Sequence, residues 1–131
     1  MTAESAIDPS EPRIYFEIDG LPRRTNNMGR DWPARAAEAK RWQDLVRRAL
    51  LFCAKPRRPL LKAKLTLTRY SSQCPDFDGL VSGFKHVIDG LRAAKVLAND
   101  KIDNIGQPAY RWVKAKPRQG KISVLVEWDE A

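Results

Sequence analysis

The spacing of apolar residues changes along this chain, and this change constrains the fold more than any other feature. Four segments alternate apolar and polar residues, the pattern of a half-buried strand, and two longer segments repeat apolar residues at helical spacing. The predicted elements are, in order, a strand over 14–19, a helix over 33–53, a strand over 61–68, a helix that begins after Asp78, and strands over 110–116 and 121–127. This order predicts an α+β fold in which two helices pack on a mixed β-sheet.

Proline, glycine and polar clusters separate these elements. Pro33 suits the first position of the first helix, and a loop over 98–109 and a turn over 117–120 precede the last two strands. Residues 1–12 combine scattered acids with proline and serine, which predicts a disordered leader. The length of 131 residues suits one domain, predicted over 13–131.

Several classes of protein are disfavoured by composition. The longest apolar run, 49–54, is too short to cross a membrane, and the acidic N-terminus lacks the basic start of a signal peptide. Cys53 and Cys74 suit a reducing cytosol, although a disulfide between them stays open at this point. Neither has a second cysteine at metal-binding spacing, and His86 is the single histidine, which argues against a zinc site.

Positive charge is concentrated in one part of the chain. The net charge is +8, but residues 20–70 hold 14 Lys and Arg against 3 Asp and Glu, while residues 71–131 hold 9 against 8. A basic excess can be an ordinary solvated surface, but this asymmetry favours nucleic acid as the partner. The leading candidates for DNA contact are Arg23, Arg24, Arg30 and Arg35.

A pair of carboxylates follows the basic part, in the segment Pro75-Asp76-Phe77-Asp78-Gly79. Alternate residues of an extended segment point to the same side, so Asp76 and Asp78 can face one cation such as Mg²⁺. The structural alternative is that Asp78 caps the following helix and Asp76 is a turn residue. Asp100 and Asp103, in the loop beyond the second helix, offer a third ligand.

Lys85 is the candidate cation of the same site. It lies seven residues past Asp78 on a continuous helix, and helical side chains lean toward the N-terminus, toward the carboxylates. Asp89 lies four residues beyond Lys85 and can hold its ammonium in place. The alternative is that Lys85 and Asp89 form an ordinary surface ion pair with no role in a site. A helix continuing from Gly79 to Leu97 would carry its end roughly 28 Å from the acidic pair, so Asp100 can return only if the helix ends early or the chain folds back.

These motifs, taken in order, resemble the RusA-type Holliday-junction resolvases. The resemblance rests on Pro75-Asp76-x-Asp78-Gly79-Leu80, on Lys85 followed by Asp89-Gly90-Leu91, and on Val96-Leu97-x-Asn99-Asp100. Leu21-Pro22 with Asn26-Asn27, Lys40-Arg41-Trp42 and Tyr110 extend it over roughly residues 14–128. Three positions depart from the family pattern: Gly79 replaces an Asn, Asn99 replaces the first Asp of a pair, and Ser82 stands where the best-known members have the lysine.

The resemblance implies a homodimer that binds four-way DNA junctions and nicks two strands symmetrically with Mg²⁺, or with Mn²⁺ in its place. It implies metal ligation by Asp76, Asp78 and Asp100 and an essential basic role for Lys85. It also implies a second helix that stops well before Leu97 and a bacterial or phage origin. The composition predicts a cytoplasmic protein with no membrane partner. Two other readings stay open: a non-catalytic protein that binds branched DNA on the same fold, and a nuclease for forks or flaps.

Overall fold

The protein is a four-stranded sheet with its helices on one face. The structure, a computed structural model, describes residues 12–22, 32–98, 101 and 105–129. Its elements are β1 (Arg13–Asp19), α1 (Trp32–Leu50), β2 (Lys64–Ser71), α2 (Phe77–Gly83), α3 (Lys85–Ala93), β3 (Ala109–Lys114) and β4 (Lys121–Glu127). The predicted α+β class and the order of elements are confirmed, with the second helix divided into two.

The sheet has the order β1-β4-β2-β3 and is mixed. β4 lies antiparallel between β1 and β2, whereas β3 pairs in parallel with β2. The two last strands are therefore not neighbours, and the predicted turn carries the chain from one edge of the sheet, past β2, into the interior. Gln119 N–H donates to Lys116 O across this turn (3.1 Å), where Arg118 has a φ of 66°.

Alternation along the strands builds the core. One face carries Ile14, Phe16, Ile18, Leu65, Leu67, Ile122, Val124 and Val126, and all of these are buried. The helices contribute the rest of the same cluster: Trp42, Val46, Leu50, Leu80, Phe84, Val87, Ile88 and Leu91. Within the described residues, all helical members of this cluster pack on that one face, so the other face of the sheet carries no helix from it.

The first helix and the second strand differ from their predicted bounds. α1 ends at Leu50 rather than at residue 53, and Phe52 is 92% exposed in the turn that follows. β2 begins three residues later than predicted and runs on to Ser71. Its extent follows the pairing with β4, which runs from Lys64↔Glu127 to Tyr70↔Lys121, and not the alternation of leucines that begins at Leu61.

The second helix bends at Phe84, between α2 and α3. Phe84 N–H donates to Val81 O (3.1 Å), a tightened turn, and Ile88 N–H donates to Phe84 O (3.0 Å), so the helical path resumes. Gly83 precedes the bend, and glycine is a common site of helix kinks. The single continuous helix that the sequence predicts is therefore wrong, although its apolar stripe from Leu80 to Leu91 is buried as predicted.

The leader and the start of the sheet meet at Pro12. Trp128 N–H donates to Pro12 O (3.1 Å), so Pro12, the last residue of the predicted leader, pairs with the end of β4. The rest of that predicted leader, 1–11, lies outside the described residues.

Candidate functional site

The acidic pair lies at the start of α2. Asp76 has extended backbone angles (φ −72°, ψ 166°), and its Oδ1 accepts the Gly79 N–H at 2.9 Å. Asp78 is the second residue of the helix, and both carboxylates are exposed. The prediction that both lie on one extended segment is therefore wrong, because only Asp76 precedes the helix.

The N-cap is Asp76 and not Asp78, which corrects the structural role that the sequence suggested. A capping carboxylate accepts a backbone N–H that the first helical turn would otherwise leave without a partner. The apolar stripe begins at Leu80, which made Asp78 look like the boundary, but Phe77 and Asp78 already have helical geometry. Among the described residues Asp78 accepts no hydrogen bond and forms no ion pair, and its side chain is exposed.

The chain that leads to Asp76 is held by a hydrogen-bond network at the end of β2. Ser71 Oγ accepts from Arg69 Nε at 3.3 Å and from Trp112 Nε1 at 3.0 Å, and it donates to Gln73 O at 2.8 Å. Ser71 is buried, and partial burial lowers the pKa of Arg69. This network fixes the segment from which the first carboxylate projects, because a hydroxyl bonded on three sides has one orientation.

Lys85 lies beside a small cavity at the bend between α2 and α3. The cavity has a volume of about 270 Å³ and is lined by Val81, Ser82, Lys85, Ile88, Ile105, Gly106, Pro108 and Tyr110. Both Ser82, which stands where the best-known members of the resembled family have the lysine, and Lys85, the lysine of this chain, line this cavity. Tyr110 also lines the cavity, and burial raises the pKa of its hydroxyl.

The predicted tether of Lys85 is not formed. Asp89 Oδ1 lies 3.9 Å from Arg92 Nη2 instead, and Lys85 forms no ion pair with any described residue. Lys85 is exposed and is the first residue of α3. Among the described residues, its ammonium therefore has no ion-pair partner.

The loop after α3 returns to this cavity. α3 ends at Ala93, and Lys95 turns the chain with a φ of 65°. Leu97 then forms a bridge with Leu60, and Ile105, which lines the cavity, donates its N–H to Lys101 O at 3.0 Å. The expectation that the helix stops well before Leu97 is confirmed, and Lys101, the neighbour of Asp100 in the chain, lies one hydrogen-bonded turn from a cavity residue.

The basic segment of the sequence begins close to the same bend. Arg69 Nη1 donates to Pro22 O at 3.5 Å, and a Cβ on Gly83 would lie 3.7 Å from Pro22 Cβ. Pro22 is the residue before Arg23 and Arg24. Folding thus brings the start of the basic segment beside the last residue of α2.

The described residues include only part of the predicted site. Asp76, Asp78 and Lys85 are described, and Arg35 is half-buried on α1. Asp100, Asn99, Asp103, Arg23, Arg24 and Arg30 lie outside the described residues. Within the part of the chain that is described, no group of three or more His, Cys, Asp or Glu side chains is arranged to hold a metal.

The contact between two residues of this region could not be predicted from the sequence. Ser71 and Trp112 come together only because β3 pairs in parallel with β2, which places Ser71 opposite Lys114 and Trp112 two residues before it. A Ser at the end of a predicted strand and a Trp in a later strand carry no local signal of such a contact. The pairing between strands that are far apart in sequence is the missing information.

Comparison of the chain with protein-family models and with curated protein sequences gives no significant match. Among the described residues, no helix combines the length and the apolar character that crossing a membrane requires.

Proposed function

We propose that this protein is a metal-dependent endonuclease that resolves four-way DNA junctions by nicking two strands. The observation that carries the proposal is the placement of charged groups along α2 and α3, on either side of the bend. Two exposed carboxylates stand at the start of α2, and a lysine that forms no ion pair with a described residue opens α3. Lys101, next to Asp100 in the chain, accepts a hydrogen bond from Ile105, which lines the cavity beside that lysine. The order of motifs that resembles RusA-type resolvases supports the same assignment.

In the proposed site, Asp76, Asp78 and Asp100 hold Mg²⁺ or Mn²⁺. Carboxylate oxygens are the ligands that these hard cations prefer, and both described carboxylates are exposed. When bound, the ion supplies Lewis-acid activation of water and of the scissile phosphate. Asp78 has no other partner among the described residues, and Asp76 uses Oδ1 for its cap.

Lys85 acts on the substrate phosphate in this proposal. An exposed ammonium is a point charge that can approach a phosphate oxygen and stabilise the charge that develops on it. Its place at the first residue of α3, after the bend, holds the lysine stem beside the cavity formed with Ser82 and Ile105.

DNA affinity comes from the basic segment and α1 in this proposal. Arg23, Arg24, Arg30 and Arg35 are the proposed DNA contacts, and α1 packs closely on α3, where a Cβ on Gly90 would lie 3.0 Å from Val46 Cβ. This contact joins the basic helix to the helix that carries Lys85. Affinity should fall steeply with salt, because binding through phosphates releases counterions.

The test is cleavage of a labelled four-way junction and of a matched linear duplex, with Mg²⁺, with Mn²⁺ and without either. Paired, symmetric nicks in the junction alone are expected. Asp76→Asn is the sharpest variant, because asparagine keeps the N-cap and removes the charge. It should bind the junction with unchanged affinity and cut at least roughly a hundredfold more slowly, as loss of a group that stabilises developing charge does.

Two outcomes would contradict the proposal. Junction binding without cleavage in either metal would favour the non-catalytic DNA-binding protein, and cleavage of forks or flaps in preference to four-way junctions would favour the third reading. Lys116→Glu, an exposed change in the turn between β3 and β4, lies outside the proposed site, the basic segment and α1, and controls for general effects of charge on cleavage.

A further inference from the structure

The cavity at the bend between α2 and α3 has walls that extend well beyond Lys85. Val81, Ser82, Lys85 and Ile88 lie at positions i, i+1, i+4 and i+7, so they form one face of the bent helix. Lys85 is exposed and Ile88 is buried, so this wall runs from a charged, solvated end to an apolar end. A ligand in the cavity would therefore meet charge at one end and hydrocarbon at the other.

The opposite wall is held in place by packing and by a hydrogen bond. Ile105 is buried, and its N–H donates to Lys101 O at 3.0 Å. Tyr110 lies opposite Leu67 in the parallel pairing of β3 with β2, and its ring centroid is 6.2 Å from that of the buried Phe84. Walls that are fixed before binding reduce the conformational entropy that is lost when a ligand enters.

The approach to the cavity is open beside Gly106. The φ of Gly106 is 60°, in the left-handed region, and a Cβ added there would meet no heavy atom within 4 Å. Gly106 and Lys85 are both exposed, whereas Ile88 and Ile105 are buried. A ligand that enters on this side would place an apolar body against the two isoleucines and a negatively charged group beside the Lys85 ammonium.

The size and the lining of the cavity suit one planar heterocycle. Pockets for drug-sized molecules have volumes of roughly 300–1,000 Å³, so a volume of about 270 Å³ suits one ring system and is too small for a base pair. Apolar walls can contact the faces of such a ring. Ser82 Oγ donates to Gly79 O at 3.4 Å and keeps lone pairs that can accept from an amino group on the edge of the ring.

The cavity also lies close to the carboxylate of the proposed site. Asp78 precedes Val81 by three residues and Ser82 by four, and side chains at these spacings have Cβ atoms about 5–6 Å apart. In the proposed function a phosphate binds near Asp78 and Lys85, so the base of the same nucleotide is within reach of the cavity. The net charge of +8 favours a ring that carries a phosphate over a neutral one.

We propose that this cavity takes one unstacked base of the branched DNA and thereby distinguishes a junction from a linear duplex. Extruding a base from a duplex costs pairing and stacking free energy, and the cost is least for a base that is already unpaired. The crossover of a junction interrupts the stacking of the bases beside it, so these bases enter the cavity at a lower cost. The inference rests on the proposed function, because DNA is the ligand in both.

The test is binding of a four-way junction without metal, measured by fluorescence anisotropy. Symmetry-related pairs of nucleotides beside the crossover are made abasic, one pair at a time. The affinity of the wild-type chain should fall roughly five- to hundredfold at one position and change little at the others, the usual range for a stacked base. This measurement needs no variant of the protein.

Ser82→Phe fills the cavity and should weaken binding of the intact junction by a similar factor. At the position where the wild type is sensitive, the difference between Ser82→Phe and the wild type should disappear, because the base that the ring displaces is already gone. Val81→Phe fills the cavity from the neighbouring position and should behave in the same way. Gln119→Phe is the control, because it adds the same ring at an exposed position in the turn between β3 and β4 and should bind every junction as the wild type does.

Two results would overturn the proposed base site: wild-type binding that no abasic position weakens, or a loss in Ser82→Phe that is equal on every junction although its circular dichroism spectrum is unchanged. Cleavage plays no part in these measurements. Binding that depends on one base without any nicking would contradict the nuclease and support the base site, whereas paired nicks without such dependence would do the reverse. A chain that does not bind the junction would overturn both.

Discussion

Asp76 combines two tasks in the proposed site, and the two can be separated by chemistry. Its Oδ1 accepts the Gly79 N–H and so fixes the first turn of α2, while its charge would help to hold a metal ion. A capping group needs only an acceptor oxygen, whereas a metal ligand of this kind benefits from a full negative charge. A substitution that keeps the acceptor oxygen and removes the charge should therefore affect metal binding but not stability, whereas one that removes both should affect metal binding and stability.

Asp76→Ala should lower the free energy of unfolding by about 1 kcal/mol, the usual cost of losing an N-cap, whereas Asp76→Asn should change it little. Chemical denaturation of the two variants, without metal, measures this. Asp78→Ala is the matched control, because Asp78 accepts no hydrogen bond from a described residue and its loss should cost only a few tenths of a kcal/mol. Equal losses for Asp76→Ala and Asp78→Ala would contradict the assignment of the cap.

At the scale of elements, α1 and α3 pack together through a glycine. A Cβ on Gly90 would lie 3.0 Å from Val46 Cβ and 3.3 Å from Gln43 Cα, closer than ordinary contacts. The absence of a side chain at this position lets the basic helix approach the helix that begins with Lys85. This contact therefore links the two halves of the proposed site.

Gly90→Ala should destabilise the protein by about 1–3 kcal/mol, the usual cost of overpacking, even though alanine favours helix by about 1 kcal/mol. Thermal or chemical unfolding checks this. Gly83→Ala is the control, because its Cβ would meet Pro22 Cβ at an ordinary 3.7 Å, and it should be neutral or stabilising. If Gly83→Ala destabilised the protein more than Gly90→Ala, α1 would be able to move away from α3 at little cost in stability.

The spacing of apolar residues in the sequence predicts the helices and strands well, but it does not predict which of them pack or pair with each other. The stripe Leu80, Phe84, Val87, Ile88 and Leu91 is buried as its spacing predicts, because burial depends only on the helical period. The bend at Phe84 and the cap at Asp76 each depend on one or two hydrogen bonds. The spacing of apolar residues carries no information about such bonds.

The order of the strands depends on contacts distant in the chain, and spacing does not encode it. The insertion of β4 between β1 and β2 leaves β3 at the edge, where Trp112 reaches Ser71. Of the candidate site, the acidic pair and Lys85 were recognisable from residue type and order. The network of Ser71, Arg69 and Trp112 was not, because it joins two strands that are distant in the sequence. Trp112 and Ser71 are 41 residues apart in the chain.

At the scale of the whole molecule, the sheet separates two surfaces with different properties. The helix side carries the acidic pair, Lys85 and the basic residues of α1, while the open side is close to neutral and partly apolar. A polyanion that binds on the helix side therefore leaves the open face of the sheet uncovered.

The stability of the whole molecule should fall at alkaline pH. Burial raises the pKa of the Cys53 thiol above its ordinary 9.0, and it raises the pKa of the Tyr15 and Tyr110 hydroxyls above 10.0. Above these ordinary values the unfolded chain releases protons that the folded chain retains, so rising pH favours unfolding. The stabilisation is complete below about pH 9 and is lost progressively as the pH rises through the raised values.

Unfolding by denaturant at a series of pH values between about 8 and 11 measures this slope, in which one unit of pKa difference corresponds to about 1.4 kcal/mol. Tyr110→Phe should weaken the dependence above pH 10, because the ring still packs near Phe84 while the titrating hydroxyl is gone. A slope that is unchanged in Tyr110→Phe would mean that this hydroxyl ionises in the folded protein as readily as in the unfolded chain. That result would contradict the burial of this hydroxyl beside the cavity that Lys85 also lines.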